Sequence, residues 1–275
     1  MSTETQTDSN EPTRNNGFRS TAVAVVAGVV IGGVVLAAAL AFTGKRLMPA
    51  DPPAVASAAA AASTVHAPAW EPVKVDFGNE EASIDARRVA QWVAYSGDHQ
   101  RLHFVILDKK NAKVFVFGPD AKLVGASPVL LGYAPGDDSV DGIGQRAIEQ
   151  VKPHERTTPA GRFVGEPGRN TLGEDVVWVD YDAAVSMHRV RATNPAEKRL
   201  ERLASPTIDD NRISFGCINM PVAFYEGVLK PAFDKRYGIV YVLPEVKSLD
   251  EVFAQVDSVP RSMRVAASSG TASTL

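Results

Sequence analysis

Residues 102–117 read Leu-His-Phe-Val-Ile-Leu-Asp-Lys-Lys-Asn-Ala-Lys-Val-Phe-Val-Phe. Two runs rich in β-branched and aromatic residues, Leu102–Leu107 and Ala112–Phe117, flank the polar tetrapeptide Asp108-Lys109-Lys110-Asn111. That pattern predicts a β-hairpin. Working outward, Lys122–Ala126, Gly161–Val164, Val176–Tyr181, Val185–Met187 and Tyr237–Leu243 also read as strands. Helices are fewer. Ser83–Tyr95 places Ile84, Val89, Trp92 and Val93 at roughly helical spacing. Asn194-Pro195-Ala196-Glu197 has an N-cap, a proline at the first helical position and a glutamate placed to cap back. A short helix is expected after Pro221, and another from Ser248, with Glu251 completing a capping box. Many short strands separated by turn residues predict a mainly β domain, a sandwich or open barrel, not a βαβ sheet.

The chain has 275 residues, 45% hydrophobic and 22% charged, enough for one sizeable core with appendages. A net charge of -3 and a pI near 6.0 leave no global basic field, so nucleic acid is not an expected partner. The basic group Lys198, Arg199 and Arg202 alternates with Glu197 and Glu201, the pattern of a solvated helix face. Five segments are expected. Residues 1–20 are a polar leader on the cytoplasmic side. Residues 21–44 belong to an uncharged run, Ser20–Gly44, long enough at about 1.5 Å per residue to cross a hydrocarbon core of about 30 Å. The run is longer than the apolar region of a cleaved signal peptide, and its leader carries Glu4, Asp8 and Glu11, which favours an uncleaved transmembrane helix. Residues 45–70 are a Pro/Ala-rich linker. Residues 71–247 form the globular domain, and 248–275 a C-terminal helix with a small, polar tail.

Chemistry concentrates in Arg212-Ile213-Ser214-Phe215-Gly216-Cys217-Ile218-Asn219-Met220-Pro221. Cys217 is the sole cysteine, so no internal disulfide is possible. A cysteine directly after a glycine can occupy a tight turn where backbone N–H groups converge. The helix expected after Pro221 would add a field that favours the thiolate. The alternative for such a residue is an inert, buried small hydrophobe. A thiol nucleophile needs an imidazole in reach. Of the five histidines, His66 is in the linker, His99 and His103 border the first strand and His154 is in a polar loop. His188 ends the run Val185-Ser186-Met187 and is the best base. His99-x-x-x-His103 has the spacing of two metal ligands, but a strand starts between them and no third ligand follows. Asp137, Asp138 and Asp141 resemble a calcium loop only loosely, without a closing glutamate.

Ser214-Phe215-Gly216-Cys217-Ile218-Asn219 resembles the L,D-transpeptidase (YkuD-like) signature, Ser/Thr-His-Gly-Cys-hydrophobic-Asn or Arg, with a second histidine upstream matched by His188. The family's Thr-Pro-x-Gly-x-Phe segment is present as Thr158-Pro159-Ala160-Gly161-Arg162-Phe163. The resemblance covers roughly residues 102–244. It departs in two places. Phe215 stands where the family has histidine, and the stretch between His188 and Cys217 is longer than the family's usual gap. The extra length is read as an insertion over or beside the cleft, a candidate lid. The resemblance implies an L,D-transpeptidase-like β-sandwich with peripheral short helices, preceded by one transmembrane helix. It implies a cysteine-dependent acyltransferase that acts on peptidoglycan peptide stems, with Cys217 as nucleophile and His188 as base. Backbone N–H groups of Phe215, Gly216 and Cys217 would form the oxyanion site, and the Arg189 carbonyl would orient the imidazole. Ser214 and Asn219 would support the loop or contact substrate. Neither metal nor cofactor is implied. The expected location is the cytoplasmic membrane, single-pass, with the domain in the periplasm. The alternatives are a non-catalytic wall-binding module of the same fold, or a carboxypeptidase or amidase on the same substrate.

Overall fold

The structure is a computed structural model that describes residues 71–234 and 236–263. The leader, the apolar run, the linker and the tail beyond 263 lie outside the described residues. Among the described residues, no helix is long and apolar enough to cross a membrane.

Among the described residues ten strands are formed: β1 Phe104–Asp108, β2 Lys113–Phe117, β3 Leu123–Pro128, β4 Leu131–Gly132, β5 Gly161–Arg169, β6 Asp175–Asp180, β7 Val185–Arg189, β8 Arg212–Ser214, β9 Ile218–Met220 and β10 Gly238–Val242. The α-helical segments are α1 Ile84–Ser96, α2 Arg199–Ala204, α3 Val222–Phe224, α4 Lys230–Phe233 and α5 Leu249–Val252. Eight strands join in the order β3-β2-β1-β10-β5-β6-β7-β9, and β4 pairs with β8 in a second, two-stranded sheet. Two antiparallel meanders, β1–β3 and β5–β7, are sutured by β10, which runs parallel to β1 and antiparallel to β5.

The long strand β5 changes partner part-way. Gly161–Gly165 pairs with β10, and Glu166–Arg169 with β6. The expected sandwich therefore takes the form of two half-sheets that share one strand, as happens when a strand turns a corner between layers. The far ends also meet. Leu130 and Asn219 exchange backbone hydrogen bonds of 2.8 and 2.9 Å, so the chain leaving β3 touches β9.

Why the strands read as continuous apolar runs is now clear: both faces are covered. Side chains alternate between two cores with the period of two that a strand dictates. Phe104, Ile106, Phe115, Phe117, Ile239 and Tyr241 enter one core, against α1 and the C-terminal residues Phe253, Val256 and Val259. Val105, Leu107, Val114, Val116, Val240 and Val242 enter the other, with Met187, Ile218, Tyr225, Leu229 and Phe233.

The helices refine the sequence reading. Ser83 caps α1 by accepting from the Ala86 N–H, and Gly97 closes it in the left-handed conformation. Ile84, read as part of the apolar face, is exposed instead. Ser248 and Glu251 form the expected capping box. The helix after Pro221 is interrupted: Tyr225–Leu229 is a π turn between α3 and α4. Pro231 has no N–H to continue the ladder, and a π turn just before it absorbs the lost bond. Asn194 caps a 3-10 turn, Pro195–Glu197, through the Ala196 N–H. The Glu197 carboxylate pairs with Arg199.

Candidate active site

The site is built where β7 and β9 run side by side. Their parallel register sets His188 opposite Asn219, with Met187 opposite Ile218. Met187 faces the second core, so Ser186 and His188, one residue either side of it, face the opposite way. Cys217 sits in the turn that leads from β8 into β9. Gly216 has φ +128°, and a Cβ there would stand 2.7 Å from the Thr157 carbonyl oxygen, so only glycine fits before the cysteine. The turn is stapled from within. The Ser214 hydroxyl donates to the Cys217 carbonyl (2.6 Å) and accepts from the Gly216 N–H (3.1 Å).

That staple corrects the expected oxyanion site. The Gly216 N–H is engaged by Ser214 and points into the turn, which leaves the N–H groups of Phe215 and Cys217 as candidate donors. A second correction concerns the helix field. β9 intervenes between Cys217 and α3, so the thiol does not sit at a helix N-terminus.

The charge environment of the thiol comes from His188 instead. Burial pushes the Cys217 thiol up. The hydrogen bond and charge of His188, with the backbone and hydroxyl of Ser186, outweigh burial and hold the thiol below its ordinary value. For His188, burial disfavours the proton, but Cys217 and the Arg189 carbonyl raise its affinity above the ordinary value, against an opposing Arg199 charge. Ser186 Oγ lies 3.7 Å from Cys217 Sγ, and the thiol can donate to the Ala184 carbonyl at 3.6 Å. His188 Nδ1 lies 2.8 Å from the Arg189 carbonyl, and Nε2 lies 3.3 Å from Asn219 Nδ2. Arg189's own side chain turns away to Asp175 and Glu226. A cleft of about 350 Å³ opens over Cys217, His188 and Phe215, and residues 191–199, between β7 and β8, supply its other wall.

No family model matches the chain, and no curated protein does. Among solved structures the chain is similar to an L,D-transpeptidase from Enterococcus faecium, at 18% identity over 51% of this chain and 49% of that one, with a TM-score of 0.29. It is also similar to the helical cell shape determining protein Pgp2 from Campylobacter jejuni, at 14% identity over 64% and 62%, with a TM-score of 0.36. An L,D-transpeptidase from Mycobacterium smegmatis shares 15% identity over 51% and 58%, with a TM-score of 0.30. The chain thus spans less than two thirds of the length of each.

The other described histidines, His99, His103 and His154, are placed elsewhere, and His66 lies outside the described residues. His99 is buried, with Nε2 at 3.1 Å from the Pro119 carbonyl and its ring against Phe104. His103 lines a separate cavity with Arg101 and Tyr237, and His154 lies in an exposed 3-10 turn. Asp137 is not part of an ion loop. It is buried, taking the Lys109 ammonium at 2.8 Å and the N–H groups of Glu245, Val246 and Lys247. Phe215 lies under the Arg156 guanidinium, 3.8 Å from its ring centre, so the aromatic ring holds a cation.

Sequence reasoning missed three participants. Ser186 was within reach of the strand's period of two. Thr158 lies in a segment already singled out, and its buried hydroxyl accepts from the Gly132 N–H (2.9 Å) and donates to the Gly216 carbonyl (2.8 Å). A trans peptide points its C=O and N–H in opposite directions, so this bond turns the Cys217 N–H away from Thr158. Arg199, read as part of a solvated face, reaches into the cleft and donates to Asn219 Oδ1 at 2.7 Å. Nothing local in the sequence signals that contact. The segment between β7 and β8 is fastened beside the cleft, since Leu203 packs with Leu130 and Val190 and Arg202 bonds the Glu197 and Asp210 carbonyls.

Proposed function

We propose that this chain is a cysteine acyltransferase of the L,D-transpeptidase type, acting on peptidoglycan peptide stems. The observation that carries the reading is the pairing of a glycine-turn thiol, held below its ordinary proton affinity, with an imidazole set by the β7–β9 register. The Thr158–Phe163 and Ser214–Asn219 motifs, in the family's order, supply the substrate class.

In this reading Sγ of Cys217 gives its proton to Nε2 of His188 and attacks the carbonyl between the diamino acid at position three and the terminal D-Ala. The oxyanion is met by the N–H groups of Phe215 and Cys217. The C–N bond breaks as the imidazolium protonates the leaving D-Ala amine, and a thioester remains. An acceptor amine then attacks the thioester, loses its proton to Nε2 and displaces the thiol. The Arg189 carbonyl holds Nδ1 throughout. The segment 21–44 would hold the domain in the periplasm, where such stems are found.

Intact-protein mass spectrometry after incubation with a tetrapeptide stem tests this. The expected result is an acyl adduct on Cys217 with release of D-Ala, absent in Cys217→Ala. The fate of the adduct, amide or free acid, separates transfer from hydrolysis. Absence of both adduct and D-Ala from the folded parent protein refutes the reading.

A further inference from the structure

Asn219 is held from two sides. Its Oδ1 accepts from Arg199 Nη1 at 2.7 Å, and its Nδ2 donates to the Cys217 carbonyl at 3.2 Å while facing His188 Nε2 at 3.3 Å. A guanidinium only donates and a carbonyl only accepts. The amide therefore has one orientation, with its NH2 toward the imidazole. On the far side of that ring, Nδ1 faces the Arg189 carbonyl at 2.8 Å, which also only accepts. Nδ1 must carry hydrogen, and Nε2 presents a lone pair. Asn219 is 1% exposed, and the Arg199 side chain 13%, so water is a poor replacement for either partner.

The charged groups facing His188 are Arg191, Glu197 and Arg199 on the cleft side, and Glu174, Asp175 and Arg189 on the other. Arg189 pairs with Asp175, and Arg191 with Glu174. The remaining pair is Glu197–Arg199, whose guanidinium is the member bonded toward the imidazole through Asn219. Two effects of Arg199 act in one direction. Its charge opposes a proton on the ring, and the amide hydrogen it aims at Nε2 occupies the place where that proton would sit.

We propose that Arg199, contributed by the insertion, is a positioning residue for the Cys217–His188 pair: by fixing Asn219 it keeps Nε2 the acceptor, so that His188 rests as a base. The consequence for turnover rests on the acyl-transfer reading above; the geometry does not. Once the thiol proton has passed to Nε2, the same two effects make the imidazolium a stronger acid toward the leaving amine.

The test uses the full chain labelled with [15N]histidine, since the two ring-nitrogen shifts report tautomer and protonation, together with the pH dependence of iodoacetamide alkylation of Cys217. Three variants are compared: Arg199→Met, Arg199→Lys and Arg202→Met. Arg202 holds the insertion through the Glu197 and Asp210 carbonyls and serves as the control for a merely structural effect. In Arg199→Met, His188 is expected to take its proton at higher pH and to show mixed tautomers, and the alkylation profile should shift with it. Its kcat on a tetrapeptide stem should fall about tenfold with KM little changed, the effect of losing one hydrogen bond to a charged group. Arg199→Lys should recover most of the parent behaviour, and Arg202→Met should overlay the parent titration. The proposal is overturned if Arg199→Met titrates as the parent does, if Arg202→Met shifts equally, or if Arg199→Lys recovers nothing. If the titrations move as expected but neither parent nor variant turns over a stem, the positioning role stands and the acyl-transfer reading falls.

Discussion

Lys109→Met removes a cation that no solvent reaches. The Lys109 side chain is 0% exposed, and its ammonium donates to the Gly136 and Thr158 carbonyls (2.6 and 2.8 Å) and to Asp137 (2.8 Å), with Glu245 at 3.4 Å. Methionine fills a similar volume but leaves two carbonyls and the Asp137 carboxylate without their partner. Glu245 keeps Arg212, and Asp137 keeps three backbone N–H groups, so the damage falls mainly on one ion pair. Breaking a buried pair on one side costs about 3–5 kcal/mol. For a domain of this size each kcal/mol moves Tm by about 2–4 °C, so a drop of about 6–20 °C is expected at pH 7. The acid limb gives an independent reading. Burial pushes the Asp137 carboxyl up, but the Lys109 bond and the backbone N–H groups bring it down to about 2 from an ordinary 3.8. A depressed carboxyl contributes stability that is complete above its ordinary value and is lost as pH falls toward about 2. Without Lys109, Asp137 takes its proton at higher pH, so the acid-unfolding midpoint should move up. Circular dichroism melts at pH 7 and an acid titration from pH 5 to pH 1.5 measure both. A Tm within 2 °C of the parent together with an unmoved acid midpoint would refute the argument that this network is a stabilising element.

Thr158→Val should lower Tm by several degrees and slow acylation, because it strands the buried Gly132 N–H and Gly216 carbonyl at about 1–3 kcal/mol each. Thr158→Ser keeps the hydroxyl and should stay near the parent; equal loss in both variants would assign the effect to packing alone. His188→Ala should abolish the thiol's depressed titration in an alkylation-against-pH profile and slow acylation by roughly 10²–10⁴-fold, whereas His103→Ala and His154→Ala should do neither. A profile moved by the His154 variant and not by the His188 variant would reassign the base. A reporter active only in the periplasm, fused after residue 260, is expected to be active. Activity from a cytoplasmic reporter alone at that position would remove the peptidoglycan stem as substrate.

Composition and periodicity determined much of this protein by themselves. The apolar runs around 102–117 and 237–243 are strands because β-branched and aromatic residues fit a pleated surface. Ser83 and Ser248 cap helices because their short hydroxyls reach free N–H groups. Cys217 and His188 could be singled out as candidates because their residue types carry their chemistry locally. What the sequence could not decide is whatever depends on residues far apart in the chain. In the sequence Lys109 is one residue of a polar tetrapeptide between two strand runs, yet Asp137, Thr158 and Glu245 converge on it from three separate segments. The helix field expected at Cys217 is absent because β9 comes between, and the Gly216 N–H is unavailable because Ser214 folds back on it. Arg199 looked like one charge of a solvated face. Only the docking of α2 beside β9, through Leu203, Leu130 and Val190, brings it to Asn219. Local preference is written residue by residue, but a hydrogen bond between distant segments forms only after packing has set their separation, and that separation is a property of the whole sheet.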